Sequence, residues 1–477
     1  MKTRMQNLFL VLAGAGLLAM PAAAQPGPLL SATLSIGPGV TTNAPGFFAA
    51  AATYAVGKNP GCVVAFTNAD GRVDLVCANT NDNTLTLLTN NGSGVFTSNV
   101  SLSVPNLPCG VTAADVNGDG RVDLICASIN NPSYQSGNSG LLTVLTNNGS
   151  GGFLSNAVYS AGSYTVSVTT ADVNKDGKLD LICANFGNDQ QSTLSVLTNN
   201  GSGFFTTAAT INVGGIGSAY EAYSVTTADV NNDGWVDLIC VNTGNNGLGA
   251  NLSVFTNNHN GGFAPASTPT VGNGPVSVAA ADVNNDGWVD LISANAGSGN
   301  GNTLSVLTND GSGGFALAST PVVGHGAHSV VAADVNGDGW IDLICANAND
   351  NTISVLMNNG SGGFVRSGTY AVGSGPVSVT AADVNGDGWV DLICANSGTN
   401  TISVLTNIPP TAHTNIMGLA VLSWPSPSAG YVLQQNSSLG TPNWTNFGGT
   451  VTTNVTTLSV TIPAAMGAEF FRLMKQD

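Results

Sequence analysis

The amino-acid sequence predicts an all-β chain, a seven-bladed β-propeller, and three observations carry that prediction. The first is an internal repeat. ADVNGDGRVDL starts at 114, ADVNKDGKLDL at 171, ADVNNDGWVDL at 228 and 281, ADVNGDGWIDL at 333 and ADVNGDGWVDL at 382, with a degenerate copy, AFTNADGRVDL, at 65. First motif positions fall at 66, 115, 172, 229, 282, 334 and 383, so the copies stand 49 to 57 residues apart. The second is strand content. The last copy holds four short runs, FVRSGTYAV, VSVTAAD, VDLICAN and TISVLTN, rich in Val, Ile and Thr and bounded by Gly, Asn and Pro. No run keeps a helical period. The third is turn chemistry: NNGSGGF segments at 147–153 and 358–364 supply the positive φ that tight hairpins need.

Four strands per ~50 residues, seven times over, match a propeller blade. A solenoid would need polar capping repeats, which are absent, whereas ring closure removes exposed strand edges. The segment SATLSIGPGV (31–40) resembles the third strand of a unit without its loop. It, or a neighbour, is expected to complete the last blade.

Composition sets further bounds. Of 477 residues only 8% are charged, yet 43% are hydrophobic, so the chain folds. Lys2 and Arg4, the apolar run Leu8 to Met20 and Ala22-Ala23-Ala24 read as a cleavable signal peptide, cut after Ala24. No later stretch is long enough for a transmembrane helix. The expectation is a secreted or cell-surface protein, with no transmembrane segment and working as a monomer. Formal charge is −17, or −19 without the leader. That disfavours nucleic acid and anionic membranes as partners.

Within DVNGDGWVD, candidate ligands stand at positions 1, 3, 5 and 9: Asp383, Asn385, Asp387 and Asp391. Position 7 adds a backbone carbonyl, and glycine at position 6 allows the chain to curl round one centre. An all-oxygen set of this kind suits calcium. An EF-hand is excluded because position 12 is Cys394, inside an apolar strand. A metal-free Asx-rich turn needs no acid at position 9, and six full copies carry one. The seven loops hold 20 of the 27 acids, and seven calcium ions would bring −19 to −5. The first loop has Phe66 at position 1 and keeps Asn68, Asp70 and Asp74, so its site is expected weak or empty.

These residues resemble the FG-GAP (VCBS-type) repeat family, known from the integrin α-subunit headpiece and from many exported bacterial proteins. The resemblance covers 46–407, and NGSGGF keeps the family's Phe and Gly but not their order. It implies a seven-bladed propeller with calcium in inter-strand loops on one face. Carried over by position, the ligands are Asp115, Asn117, Asp119 and Asp123; Asp172, Asn174, Asp176 and Asp180; Asp229, Asn231, Asp233 and Asp237; Asp282, Asn284, Asp286 and Asp290; Asp334, Asn336, Asp338 and Asp342; and the four in the last loop. The family's roles span adhesion, carbohydrate binding and accessory domains of enzymes.

Other features complete the reading. Cys77, Cys126, Cys183, Cys240, Cys345 and Cys394 share one repeat position and read as buried free thiols. Cys62 stands where it could face Cys77 across a hairpin. Trp235, Trp288, Trp340 and Trp389 share loop position 7, either as a platform for sugar or peptide or as covers for their own loops or the neighbouring blade. His325 and His328 read as one blade connection, HGAH, too few ligands for a stable metal site. No G-x-S-x-G, H-E-x-x-H or Walker motif occurs.

The organisation expected is a leader at 1–24, an N-terminal segment at 25–45, the propeller at 46–408, a linker at 409–415 and a small β-sandwich-like module at 416–477. That module resembles one found at the C-terminus of many large exported bacterial proteins. Trp424, Tyr431, Trp444 and Phe470 would form its core. The function expected is calcium-stabilised, non-catalytic binding of a glycan or protein. The rivals are a catalytic or accessory propeller of a polysaccharide-degrading system, and a structural surface protein.

Overall fold

A computed structural model describes residues 47–129, 139–187, 192–213, 221–244, 249–360 and 362–408. It also describes the backbone of terminal strands between 10 and 35 and between 419 and 475. The chain divides into two units, Phe48–Asn407 and a second made of Met1–Phe47 with Ile408–Asp477.

Phe48–Asn407 is a ring of seven four-stranded antiparallel sheets. Blade 1 runs Pro60–Thr67, Val73–Asn79, Thr84–Asn90, Phe96–Ser103, from the axis outwards. Blades 2 to 6 repeat that order from inner strands Pro108–Ala114, Thr165–Ala171, Ala222–Ala228, Pro275–Ala281 and Ala327–Ala333. Blade 7 has Pro376–Ala382, Asp391–Asn396 and Thr401–Leu405 from one end of the chain, and takes its outer strand, Ala52–Ala55, from the other. The inner strands pack side by side round one axis, the seventh against the first.

The closing strand is therefore Ala52–Ala55, with Ala55 opposite Thr401 and Ala52 opposite Val404. The Ser31–Ser35 part of the 31–40 segment pairs instead with Leu419–Pro425 in the other unit. The reason lies in framing. Each blade starts at the axis, so the GGF-to-TYAV run of one repeat is the outer strand of the preceding blade. The copy at 46–57 has no preceding blade and fills the vacancy in blade 7. Tyr54 then packs edge-on against Phe96 of blade 1 at 5.5 Å between ring centres.

The core lies in the seams between blades. Phe66, Val76, Leu85 and Leu87 of blade 1 meet Val111, Leu124, Cys126 and Leu145 of blade 2, all buried. Because both faces of the second strand are covered, DLICAN is buried at every residue. All eight cysteines are free thiols. Cys62 does not face Cys77: the register sets Cys62 against Ala78 and Val63 against Cys77. Burial raises the Cys126 and Cys183 thiols to about 12, so they act as small apolar side chains.

The second unit contains two sheets. One holds Leu10–Ala13, Gly16–Ala19, Glu469–Lys475, Tyr431–Asn436 and Thr445–Asn446; the other holds Ser31–Ser35, Leu419–Pro425, Thr457–Pro463 and Val451–Thr453. The expected core formed by Trp424, Tyr431, Trp444 and Phe470 lies outside the described residues. Among the described residues no helix is long and apolar enough to cross a membrane.

Candidate functional site

The motif forms the connection between inner and second strands, so all seven copies lie on one face of the ring. In blade 7 the backbone curls round Asp383. Its Oδ1 accepts from Gly386 N–H at 2.7 Å and its Oδ2 from Gly388 N–H at 2.8 Å. Asn385 Oδ1 accepts from Asp387 N–H at 3.0 Å, and Asp387 Oδ1 from Trp389 N–H at 2.9 Å. The curl needs a left-handed residue at position 4, supplied by Gly386 (φ 75°) here and by Lys175, Asn232 or Asn285 (φ 57° each) elsewhere. Positions 1, 3 and 5 are thus gathered at the rim of each loop, each with carboxylate or amide oxygen directed by backbone donors.

Position 9 is placed differently. Asp123, Asp180, Asp237, Asp290, Asp342 and Asp391 are fully buried beneath the loop. Asp391 Oδ2 accepts from Val384 N–H at 2.9 Å and its Oδ1 from Asn407 N–H at 2.6 Å. Among the described residues no three His, Cys, Asp or Glu side chains converge closely enough to hold a metal between them. Burial raises the carboxyls of Asp180, Asp342 and Asp391 to about 6, reinforced by repulsion from the other two acids of each loop. The fourth acid joins loop to sheet as well as carrying charge.

The motif itself does not name the partner of position 9. Each third strand is followed by, or ends in, an asparagine: Asn90, Asn147, Asn199, Asn257, Asn309, Asn358 and Asn407, all buried. Asn199 N–H donates to Asp180, while its side-chain amide donates to Leu179 O in its own loop and to Val116 O in the loop of blade 2, at 2.7 Å. The same cross-blade bond recurs from Asn90 to Val384, Asn257 to Val173, Asn309 to Val230, Asn358 to Val283 and Asn407 to Val335. Six of seven seams carry it. The signal was present as an N closing every strand-three run, but it merges with the NNG turn that follows.

The exception is the seam between blades 1 and 2, where Asn147 reaches only Val122 O of its own blade. Blade 1 has Phe66-Thr67 where the other loops have Asp-Val. Phe66 is buried edge-on to Phe153 of blade 2, at 6.4 Å. Asn68 turns inward and donates to Asp74 Oδ2 at 2.8 Å, so two of the three expected ligands of this loop bind each other.

Position 7 side chains cover the following hairpin. A Cβ on Gly311 would stand 2.8 Å from the Trp288 ring, and one on Gly149 2.8 Å from Arg121. In blade 4 the glycine is replaced by His259, whose ring stacks on Trp235 at 5.0 Å. Trp389 instead reaches the loop of blade 6 at Gly337. The four indoles are half-buried, three packed on glycine and Trp235 on His259. The bases at this position, Arg72, Arg121 and Lys178, pair with position 5 of their own loops at 3.4 to 3.6 Å. Among the described residues the loops of blades 5 to 7 have no ion-pair partner.

At the opposite face the inner strands enclose a cavity of about 480 Å³. His328 lines it from the inner strand of blade 6, not from a connection as its spacing in HGAH suggested. His325 stays in the connection and bonds Asp350 through Nδ1 at 3.2 Å.

The FG-GAP-like repeat model matches residues 67–126, 128–183, 172–240, 229–293, 282–345 and 334–394. No curated protein sequence matches the chain. In fold it is similar to crystal structures of BBS1N in complex with ARL6DN, one soaked with lead and one with mercury. Identity is 10% and 11%, the TM-score is 0.53 for both, and each alignment covers 76% of this chain and 98% of the other. At that identity the likeness concerns the fold alone.

Proposed function

The chain belongs to the FG-GAP-like repeat family, and from that premise we propose that it is an exported, calcium-loaded propeller that binds a glycan or protein without catalysing its conversion. The observation that carries the calcium reading is the loop set of blades 5 to 7. Each loop sets two rim carboxylates above one buried carboxylate, with no cationic partner among the described residues. Burial, with repulsion from the two rim acids, raises the position 9 carboxyls of Asp290, Asp342 and Asp391, so charge at these loops is uncompensated. Oxygen donors at positions 1, 3 and 5, with the buried acid below, fit a hard divalent cation. Asp282, Asn284 and Asp286 in blade 5, with their counterparts in blades 2, 3, 4, 6 and 7, would hold it. A cation held there supplies positive charge and joins the rim to the sheet.

Export is supported by the leader, whose removal after Ala24 takes Leu10–Ala13 and Gly16–Ala19 out of the terminal sheet. Binding is supported by the cavity face, where aromatic and hydroxyl side chains line a space of about 480 Å³. The test is calorimetric titration of calcium into the mature, EGTA-stripped chain. About six sites are expected, five in an Asp383→Ala/Asp387→Ala variant, with magnesium taken up more weakly. Absence of saturable uptake would refute the reading.

A further inference from the structure

Seven-fold repetition breaks at one level of the central cavity. The second residue of each inner strand is Gly61, Cys109, Val166, Tyr223, Val276, His328 or Val377, so blades 4 and 6 alone present a ring there. Tyr223 lies edge-on to His328 at 6.4 Å and to Phe186 at 6.3 Å. These contacts span blades 3, 4 and 6 and give the cavity one aromatic side.

His328 Nδ1 lies 2.8 Å from Val377 O. A carbonyl only accepts, so Nδ1 carries the proton and Nε2 is a bare acceptor. Burial lowers the imidazole's pKa and keeps it neutral. Serine hydroxyls come next along the strands. Ser277 and Ser329 accept from Val330 N–H and Val379 N–H, each at 3.2 Å, which leaves their own protons to donate. No ionised side chain lines the cavity among the described residues.

A charged ligand would be desolvated here with no counter-charge. An uncharged ring with hydroxyl groups matches every lining element: an apolar face for the aromatic side, a donor for Nε2 and acceptors for the serines. We infer that the central cavity is a binding site for a single neutral sugar residue, with Tyr223 as the packing wall and His328 Nε2 as the orienting acceptor. Its volume falls within the ordinary range for small-molecule sites. This rests on the reading of the protein as a binding module and specifies the site and the ligand class.

The test uses the mature, calcium-saturated protein. Glucose, galactose, mannose and N-acetylglucosamine are titrated at millimolar concentration by calorimetry, with glucuronate as the charged control. One neutral sugar binds with one site per chain, and glucuronate does not. His328→Phe keeps the ring, removes the acceptor and weakens binding by about tenfold; His328→Gln, which restores an acceptor oxygen, recovers part of it. Tyr223→Ala weakens binding by a similar factor, with thermal melting confirming that each variant is folded. If no neutral sugar binds the folded protein, the inference is wrong, while macromolecular ligands remain open to the binding module. If sugars bind and folded His328→Phe and Tyr223→Ala keep full affinity, the cavity is not the site, though the protein is still a binding protein.

Discussion

The main-chain N–H of Asn199 donates to Asp180 Oδ1 at 2.8 Å, joining the end of a third strand to the buried acid of the same blade's loop. The asparagine's side chain then crosses to Val116 O of the preceding blade. Repeated round the ring, this pair links loop, sheet and neighbour. It explains why the fourth acid sits beneath the loop. Only there can it meet two backbone donors at once.

Asn199→Ala leaves Val116 O and Leu179 O without their donors and should cost about 3 kcal/mol. Asn147→Ala, at the seam that lacks the cross-blade bond, should cost about 1 kcal/mol less. Chemical denaturation of the two variants orders them. Equal losses would mean the cross-blade bond contributes nothing.

Within one hairpin turn, Gly311 and Gly313 both have positive φ, 83° and 80°. A Cβ on Gly313 would make ordinary contact at 3.6 Å, whereas one on Gly311 would overlap Trp288. Gly313→Ala should therefore cost about 1–2 kcal/mol of strain. Gly311→Ala should cost about 1–3 kcal/mol more. Adding Trp288→Ala should recover much of that excess. Measured thermal midpoints decide it, and no coupling between 288 and 311 would show that the indole does not rest on the glycine.

Removing residues 1–46 keeps the closing strand, and removing 1–57 leaves Thr401–Leu405 as an open edge. The shorter truncation should melt cooperatively like the parent. The longer one should lose several kcal/mol and aggregate, because blade 7 then exposes a hydrophobic edge and Phe96 loses Tyr54.

Burial holds the His328 pKa below its ordinary value. The unfolded chain therefore binds a proton that the folded chain refuses. Stability from this group is full above about pH 6.5, declines as pH falls from there towards the lowered value, and levels off below it. Denaturant midpoints of wild type and His328→Phe should converge as pH falls from neutral into this window. Parallel curves would contradict the assignment.

The architecture was legible because repetition multiplies a weak signal. One strand of Val and Thr is ambiguous, but seven at a fixed offset from DVNGDG are not. What stayed hidden was set by contacts between copies. Val at position 2 reads as a spacer between ligands, yet it is buried in the seam in six blades. Local resemblance points to 31–40 or a neighbour as the closing strand, and it is 52–55, not 31–35, that fills the outer position. His328 reads as loop because GHGAH contains two glycines, yet the inner strand starts at Ala327. Of the two readings of the Trp stripe, platform or cover, Gly311 and Gly360 beneath the rings fit the cover.

Whether the loops hold calcium, and whether the metal contributes to folding, is decided by thermal melting of the chain without residues 1–24 at low salt, in excess calcium and in EGTA. The midpoint should rise with calcium concentration by linkage and drop sharply in EGTA. An unchanged midpoint would contradict the calcium reading.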